Sequence, residues 1–454
     1  MKSRFMKILA GGLLSAAVLL APLIFAQGPK SGQEHKTSVV AFINVNVAPM
    51  DRERVIENQT VIVRDGRIAE IGPAAKVKVP DGAQRINAQG KYLMPGLAEM
   101  HGHLPHPNQG EAVANSFLTL FVANGVTTVR GMFGFPNHPA LRARIAKGEV
   151  FGPRLYAASP ALSGQSAQSP EQGEQLVRQY KQDGFDLLKV HEGLSVASYE
   201  RIVAVANEVG IRFGGHVPND VGIERALKAG QSSIEHIDGY LEAVDLDKLD
   251  DARIKQLATM TREAGAWVTP TMALWQTIYG GETAEALSRQ RAETQYMSPQ
   301  ALSQWTQQRG NQLANIPADT GRRVIEFRDR LLKALSDAGA KILLGSDAPQ
   351  LFSVPGFSLH REMEAMVKAG MTPYQVLESG TRNAAIYLKA EKEFGTVEVG
   401  KAADLILVDG NPLKDVANVA KRAGVMLRGR WLPESELARM LDAIAASYKT
   451  TNQN

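Results

Sequence analysis

Cysteine is absent from the 454 residues of this chain. Its absence excludes disulfide bonds, and it also excludes the lipid anchor that exported lipoproteins carry on a cysteine. Histidine is scarce, at 9 residues. A metal site made of several histidines would use a large part of this supply, which makes the positions of the histidines informative.

A strong excess of charge of one sign is also lacking. The chain carries 51 Lys and Arg against 47 Asp and Glu, a net charge of +4. Residues 1–26 hold three of the basic residues and no acidic one, so residues 27–454 carry 48 against 47, or +1. This balance gives no indication of nucleic acid as a partner. The hydrophobic content of 44% and charged content of 22% are typical of a soluble globular protein.

A long apolar run occurs only near the N-terminus. Three basic residues precede an apolar run from Ile8 to Phe25, and Ala26 supplies a small residue for cleavage. The pattern predicts a cleaved signal peptide at residues 1–26, a polar linker at 27–37, and a periplasmic or secreted protein without membrane contact after cleavage. The alternative is an uncleaved anchor, because the run sits at the lower limit for spanning a bilayer, roughly 18 residues.

Short β-strand patterns occur near both ends of the remaining chain. Val61–Arg64 and Arg67–Ile71 flank Asp65-Gly66, a dipeptide preferred in two-residue hairpin turns. A second group of apolar strand patterns begins near Ala403. We expect residues 38–95 and 394–433 to pair into one small β-sandwich domain, followed by a C-terminal helix and tail at 434–454.

Residues 96–393 alternate short apolar strand candidates with amphipathic stretches of helix length. This pattern predicts an α/β fold, a (β/α)8 TIM barrel. Ser169-Pro170 indicates a helix start, and Gly210 and Gly265 indicate helix ends. Residues 273–317 form an insertion after the seventh strand that is predicted to be a lid, with a surface embellishment as the alternative. The strand candidates are Leu97–His103, Val126–Gly131, Arg154–Ser159, Asp186–His191, Arg212–His216, Ser232–Ile237, Trp267–Thr271 and Lys341–Asp347.

The first strand candidate ends in His101-Gly102-His103. Side chains two residues apart on a strand point to the same face, so the two imidazoles would converge. Two converging imidazoles suit a divalent metal ion. A pair of unrelated loop histidines is the alternative for this motif taken alone.

Other strand candidates also end in groups that can bind metal, namely Lys189, His216, His236 and Asp347. Active sites of such barrels lie at the C-terminal ends of the strands. Each residue alone also fits a structural role, such as a core histidine or a helix cap. Together, however, they would require five strands to end in metal-compatible groups by accident.

Several motifs in this order resemble those of one large enzyme family. They are Val61–Ile68, Pro95–His103, Gly125–Arg130, Gly215–Pro218, Ser233–His236, Gly345–Asp347, Gly395–Leu405 and Asn411–Leu413. The chain resembles the amidohydrolase superfamily, in particular its secreted branch similar to imidazolonepropionases and prolidases. Glu99 stands where members of the family more often have Asp, and Gly102 stands in the middle of the strand-one motif; neither departure removes a ligand.

The resemblance implies two divalent metal ions, with zinc favoured by imidazole and carboxylate-type ligands. It assigns the more buried metal to His101, His103 and Asp347, and the second metal to His216 and His236. Lys189 would bridge the two metals as a carbamate formed with carbon dioxide. The alternative is a structural lysine whose stem packs along the barrel and whose head reaches solvent. Asp347 would take the proton of a metal-activated water and pass it to the leaving amine.

The predicted function is hydrolysis of carbon–nitrogen bonds in small substrates such as dipeptides or N-acyl amino acids. Esterase, lactonase or phosphotriesterase-like activity on the same metals is an alternative, as is a ligand-binding barrel without catalysis. All six candidate ligands are present, which favours the enzyme. Tyr240 and His360, and also His191, are candidates for catalysis or substrate contact, although a structural role fits each of them equally well. A monomer and a homo-oligomer are both compatible with the sequence.

Overall fold

The computed structural model describes residues 39–450, with only the backbone described at residue 450. The predicted signal peptide at 1–26, the linker at 27–37 and the last four residues lie outside this range. None of the helices within residues 39–450 combines the length and the apolar character needed to span a membrane.

Residues 39–450 form sixteen strands and fourteen α-helices. The strands are β1 (Val39–Val47), β2 (Ile56–Arg64), β3 (Arg67–Pro73), β4 (Gln84–Asn87), β5 (Tyr92–Pro95), β6 (Leu97–Gly102), β7 (Val126–Gly131), β8 (Arg154–Leu162), β9 (Leu187–Val190), β10 (Arg212–Gly215), β11 (Ser233–Glu235), β12 (Trp267–Thr269), β13 (Lys341–Ile342), β14 (Leu405–Val408), β15 (Arg422–Leu427) and β16 (Arg430–Pro433). The helices are α1 (Gly110–Ala123), α2 (His138–Ala146), α3 (Pro170–Gln182), α4 (Val196–Val209), α5 (Gly222–Lys228), α6 (Asp251–Ala264), α7 (Met272–Tyr279), α8 (Ala284–Gln290), α9 (Pro299–Asn315), α10 (Ala318–Asp337), α11 (Phe357–Lys368), α12 (Pro373–Ser379), α13 (Arg382–Tyr387) and α14 (Glu434–Thr450).

The first sheet is mixed and combines strands from both ends of the described chain. Its order is β16-β15-β14-β5-β1-β2-β3, and β4 pairs with β1. The pairing of β5 with β14, with Leu93 opposite Leu407, confirms that the two ends share one sheet. The predicted hairpin joins β2 to β3, and its turn residues Asp65 and Gly66 have φ values of 50° and 75°. Positive φ at both turn positions is why Asp-Gly suits this turn.

The second sheet is parallel and positions the candidate site. Its order is β13-β12-β11-β10-β9-β8-β7-β6, so all eight predicted strands are adjacent to their neighbours in the chain. Helices α1 to α6 connect successive strands from β6 to β12, and Ser169, Gly210 and Gly265 cap these helices as predicted. All four residues of β9 are buried, because helices cover one face of a parallel sheet while the other faces the interior.

Six of the eight strands of the parallel sheet end earlier than predicted, and two of these, β11 and β13, lead into site residues with a left-handed backbone. His236 follows β11 with φ 60°, and Asp347 follows the short β13 with φ 59°. The left-handed backbone at His236 ends β11, because strand residues need negative φ, whereas β13 has already ended five residues before Asp347. These conformations turn the chain at the same end of the sheet. Strained backbone of this kind is frequent at functional sites.

The insertion at residues 273–317 folds into helices with a buried interior of its own. Leu274 and Ile278 of α7 pack on Leu351. Arg309 of α9 is buried and donates hydrogen bonds to the backbone oxygens of Ile278, 3.0 Å away, and Gly280. The segment is therefore an ordered helical layer, and its motion as a lid stays a prediction.

Candidate metal centre and active site

The C-terminal ends of β6 and β13 bring three predicted ligands together. The Nε2 atom of His103 lies 2.7 Å from Oδ1 of Asp347, and the Nε2 atom of His101 lies 3.6 Å from the same oxygen. One ligand atom from each of these three residues lies within 4.8 Å of the others. The backbone N–H of Asp347 donates to the carbonyl oxygen of His101 at 2.7 Å, which holds the two strand ends side by side.

Two more predicted ligands extend this cluster. The rings of His101 and His236 have centroids 4.5 Å apart, and those of His236 and His216 are 4.8 Å apart. The Nδ1 atom of His236 lies 3.5 Å from Oδ2 of Asp347. Four histidines and one carboxylate from four strand ends thus form one contiguous group.

Lys189 lies inside the same group. Its Nζ atom is 3.4 Å from Nε2 of His101, and its side chain is fully enclosed, with a relative exposure of 1%. The head of this lysine therefore does not reach solvent, unlike in the structural alternative. Burial lowers the pKa of Lys189 to about 8, and the neighbouring carboxylate of Glu235 opposes that shift.

His101 and His216 each have a carboxylate partner on the Nδ1 side of the ring. The Nδ1 atom of His101 donates to Glu235 Oε2 at 2.7 Å, and the Nδ1 atom of His216 donates to Asp238 Oδ2 at 2.6 Å. Burial also lowers the pKa of both histidines, to about 3 for His216, so the rings are neutral. A neutral imidazole with its proton on Nδ1 presents the lone pair of Nε2, as in metal sites whose histidines are oriented by carboxylates.

The backbone around His236 is held by an arginine from α10. Arg328 donates to the carbonyl oxygens of His236 and Pro270, each at 2.6 Å. The Nδ1 atom of His236 lies 2.9 Å from the hydroxyl of Thr271, which itself has φ 49°. Arg328 thus stabilises two left-handed turns that place this ring in the cluster.

The nitrogen of His103 that faces the cluster supports a cation-binding role. His103 Nε2 is buried and has no hydrogen-bond partner among the described residues, although Asp347 Oδ1 is 2.7 Å away. The pair lacks hydrogen-bond geometry, so the ring nitrogen and the carboxylate oxygen converge without a hydrogen bond between them. A divalent metal ion satisfies both atoms, and the donor set fits this group.

The comparisons with known proteins agree with this geometry. The model of the amidohydrolase family matches residues 92–432. The chain belongs to the amidohydrolase family. It is accordingly a metal-dependent hydrolase acting on carbon–nitrogen bonds.

Individual relatives of this amidohydrolase are distant. An imidazolonepropionase of Micrococcus luteus is 22% identical over 410 residues, which cover 78% of this chain and 88% of the relative. The solved structure of a bottromycin amidohydrolase matches with a TM-score of 0.69 at 23% identity, covering 90% of each chain. That of a Xaa-Pro dipeptidase matches with a TM-score of 0.67 at 21% identity, covering 87% of this chain and all of the other. At these identities the structural matches establish the fold alone.

The structure does not bring Tyr240 or His360 of this amidohydrolase into the cluster. The hydroxyl of Tyr240 is buried and lies 2.6 Å from the hydroxyl of Thr261 on α6. The ring of His360 on α11 lies 3.0 Å from Arg422 and 3.1 Å from the carbonyl oxygen of Asn124, which precedes β7. His360 is thus at the N-terminal end of a strand, whereas the ligands follow C-terminal ends. The packing of these two side chains fits their structural alternatives.

His191, the third of these candidates, does lie beside the cluster. Its ring centroid is 4.4 Å from that of His216, and its side chain is partly exposed. Its Nδ1 atom accepts the backbone N–H of Glu192 at 2.9 Å, and burial lowers its pKa to about 2. His191 therefore stays a candidate for substrate contact, as a ring that lies next to a predicted ligand.

A buried ion pair that the sequence analysis missed supports His101. Arg130 on β7 is fully buried and donates to Glu235 Oε1 at 2.7 Å, while the other oxygen of Glu235 accepts from His101. The Arg130 guanidinium also lies 4.9 Å from the ring centre of Tyr387. A charged side chain is costly to bury without such a partner. The sequence did contain one indication of this ion pair, because an arginine within a buried strand requires a partner for its charge.

Glu99 links the ends of β6 and β13. One oxygen accepts the backbone N–H groups of His101 at 3.0 Å and Ser346 at 2.8 Å, and the other accepts the Ser346 hydroxyl at 2.5 Å. Burial raises the pKa of Glu99 to about 8. This residue, which departs from the usual family pattern, thus fixes the backbone on both sides of the metal ligands.

The first helix of the insertion borders the cluster. The ring of Trp275 on α7 lies 6.4 Å from that of His236, centroid to centroid, and stacks on Tyr279 at 5.6 Å. The insertion therefore contributes an aromatic edge to the site in the observed conformation.

We predict that Asp238→Asn weakens metal binding about 10- to 100-fold at the position held by His216. The substitution keeps the size of the side chain but removes the charge that orients the His216 proton. Competition with a coloured chelator measures the affinity. Asp247→Asn, on an exposed carboxylate paired with Arg323, serves as the matched control. Equal affinities for both variants would show that Asp238 does not support the metal.

Proposed function

We propose that the protein hydrolyses small amide-like substrates, such as dipeptides or N-acyl amino acids, with two divalent metal ions, and that zinc is the metal. The observation that carries this proposal is the convergence of His101, His103 and Asp347 at the strand ends. Neutral imidazoles and a carboxylate suit zinc, which prefers nitrogen ligands and accepts oxygen.

The ligand sets divide the cluster into two halves. His101 and His103, with Asp347 beside them, would hold one ion, and His216 and His236 would hold the other. Lys189, with Nζ 3.4 Å from His101 Nε2, would join the halves as a carbamate. Divalent ions bound there supply Lewis acidity, which polarises the scissile carbonyl and lowers the pKa of a water.

Asp347 is the proposed proton carrier. Its carboxylate lies among the imidazoles, and its main chain is bonded to that of His101 at 2.7 Å, so its position is fixed. The carboxylate would accept the proton of the attacking water and donate it to the nitrogen of the leaving amine. Hydrolysis of an amide needs both transfers, because an amine leaves readily only after protonation.

We further infer that the parallel sheet closes into a (β/α)8 barrel. Backbone hydrogen bonds from Met100 to Leu344 and from His103 to Ala348, both 2.9 Å, support this closure between the first strand and the segment after the last. Closure of the barrel would explain why the two edge strands, β6 and β13, contribute ligands to the same site.

We also infer that the mixed sheet folds over itself as a β-sandwich. Phe42 on β1 and Trp431 on β16 have ring centroids 5.3 Å apart. These strands are four steps apart in the sheet order, which corresponds to about 19 Å in a flat sheet. A short contact between rings at that separation supports a sheet that curls back on itself.

We propose that the enzyme works outside the cytoplasm, in the periplasm or as a secreted protein. The support is the basic and apolar composition of residues 1–26, which is typical of a signal peptide. N-terminal sequencing of the exported protein is the test. A first residue at Gln27 is expected, whereas an intact N-terminus on a membrane-bound protein would contradict the proposal.

We predict that the purified protein binds about two divalent metal ions per chain after reconstitution with zinc. The reason is that the four imidazoles, the carboxylate and the lysine provide ligands for two ions. Elemental analysis by mass spectrometry measures the stoichiometry. A folded, reconstituted sample with a value near zero would contradict the whole mechanism.

The substrate class is tested on the same zinc-loaded sample. Dipeptides, N-acyl amino acids, lactones and phosphotriesters are compared by kcat/KM. The proposal expects turnover to concentrate on the first two groups. Turnover confined to lactones or phosphotriesters would keep the metal centre and replace the proposed substrate.

A further inference from the structure

Two phenylalanine rings stand beside the metal ligands without joining a hydrophobic core. Phe133 and Phe135 follow β7, and both are partly exposed. The centroid of the Phe133 ring lies 6.1 Å from that of His103 and 6.3 Å from that of His191. Neither phenylalanine belongs to the buried apolar clusters of residues 39–450. Large aromatic side chains normally contribute to a core, so their position calls for another role.

The backbone between the two rings is fixed against the neighbouring strand. A Cβ atom on Gly134 would lie 1.9 Å from the carbonyl oxygen of Ala158, so this close approach requires glycine. The Gly134 N–H donates to the carbonyl oxygen of Ser159 at 3.1 Å. The backbone positions of Phe133 and Phe135, whose ring centroids lie 5.7 Å apart, are therefore fixed by this packing.

The rings continue into a larger aromatic surface. Phe135 has a ring centroid 4.6 Å from that of exposed His106 and 5.3 Å from that of His138. Burial lowers the pKa of His138 to about 4, so this neighbour is uncharged near pH 7. We call Phe133, Phe135 and His106 the aromatic wall.

The side of the cluster near His216 has a different character. Carboxylates of Glu192 and Asp238 have oxygen atoms within 4.8 Å of a His216 ring nitrogen. Polar and charged parts of a substrate can therefore form hydrogen bonds or ion pairs near His216, whereas the aromatic wall presents apolar ring faces. An apolar group laid on the wall removes apolar surface of both partners from water, and an aromatic group can also stack.

We propose that the aromatic wall binds an uncharged apolar group, preferably an aromatic ring, on one flank of the scissile amide. The substrate class is thus narrowed to amides that carry a phenylalanine-like group. This inference rests on the proposed amide hydrolysis, because it assigns the group next to the bond that is cleaved. The wall would orient that group relative to His103 and His191, whose rings lie 6.1 and 6.3 Å from that of Phe133.

The test uses the zinc-loaded enzyme and two matched dipeptide series, Xaa-Gly and Gly-Xaa, with Phe, Leu, Ala or Asp as the variable residue. In one series, kcat/KM is expected to be about 10- to 100-fold higher for Phe than for Ala, as burial of a side chain of that size predicts. Phe133→Ala should bring the ratio of the two kcat/KM values, Phe over Ala, towards one. Phe133→Leu should keep part of the preference for Phe, because leucine retains an apolar surface. Phe151→Ala, a partly buried phenylalanine next to Arg430, is the control and should keep the wild-type ratio.

Binding provides a second measurement that does not need turnover. Calorimetry compares N-acetyl-phenylalaninamide with N-acetyl-alaninamide on the wild type and on Phe133→Ala. If the wild type binds the aromatic amide more tightly and Phe133→Ala loses this preference, the result supports the aromatic wall. This holds even when no dipeptide is hydrolysed, in which case only the proposed hydrolysis of dipeptides is contradicted. The inference is overturned if the wild type binds both amides equally well. It is also overturned if Phe133→Ala lowers kcat/KM by the same factor for the Phe and the Ala substrates.

Discussion

Asp347→Asn is expected to lower kcat by about two to four orders of magnitude on any amide that the enzyme hydrolyses. The asparagine side chain has nearly the same size, but it cannot accept the proton of the water or return it to the amine. Oδ1 of Asp347 lies 2.7 Å from His103 and 3.6 Å from His101, so it faces the ligands. Steady-state kinetics with the best substrate from the screen measures the loss.

Asp347 is also a proposed ligand, so metal content is determined on the same samples. Full metal content with lost turnover would identify proton transfer as its main role, whereas loss of both would identify ligation. Asp337→Asn, which removes an exposed ion pair with Lys333, is the matched control and should leave kcat unchanged. Activity of Asp347→Asn within a few fold of the wild type would contradict the assignment.

The predicted ligands could be found from the sequence because a simple rule places them. Parallel strands put their C-terminal ends at one edge, so polar residues there converge whatever the loops do. The convergence of His101 and His103 could be predicted because side chains two residues apart on a strand point to the same face. Lys189 could be singled out because it is a charged residue in an otherwise apolar strand. The left-handed conformations of His236 and Asp347 could not be predicted, because local sequence does not fix them.

The residues that support the ligands were missed because their partners are far away in the chain. Glu235 and His101 are separated by 134 positions, and Arg130 joins them from a third strand. Such contacts follow from the closeness of strand ends and from side-chain rotamers, and no local pattern specifies them. The role of Asp238 could have been anticipated only from its position two residues after His236.

Tyr240 and His360 are candidates from the sequence that the structure places outside the cluster. Both follow predicted strands closely, and closeness in sequence suggested closeness to the metals. The direction of a side chain depends on the element that carries it. The tyrosine points into the packing against α6, and the histidine lies on α11 beside Arg422. Sequence spacing alone cannot assign a direction outside a regular strand.

Selectivity of this site follows from the segments after the strands rather than from the metal ligands. The segment after β7 provides Phe133, the one after β9 provides Glu192, and the insertion provides Trp275. Variation in these segments can change the substrate while the ligand cluster stays the same. For this reason the ligand set supports the reaction class, and the aromatic wall is the feature that narrows the substrate.

Lys189→Ala is expected to lose both metal and activity. An ammonium group among four imidazoles would repel two dications, and its enclosed position offers no solvent to disperse the charge. Burial has already lowered the pKa of Lys189 to about 8, so the neutral amine is accessible near neutral pH. A neutral amine attacks the carbon of carbon dioxide; an N–C bond forms, one proton leaves, and the product is an anionic carbamate. That anion is suited to bridge the two halves of the cluster.

Chemical rescue separates the carbamate from an ordinary structural lysine. If the missing group is a carboxylate-like bridge, short carboxylic acids such as acetate or propionate should partly restore metal content and kcat in Lys189→Ala. They should have no effect on Lys341→Ala, which removes an exposed lysine at the start of β13. The wild-type apoprotein should also regain more activity with bicarbonate than in buffer free of carbon dioxide. A Lys189→Ala variant that keeps both metals and normal turnover would remove the bridge from the mechanism, because the remaining five ligands would then suffice to hold the ions.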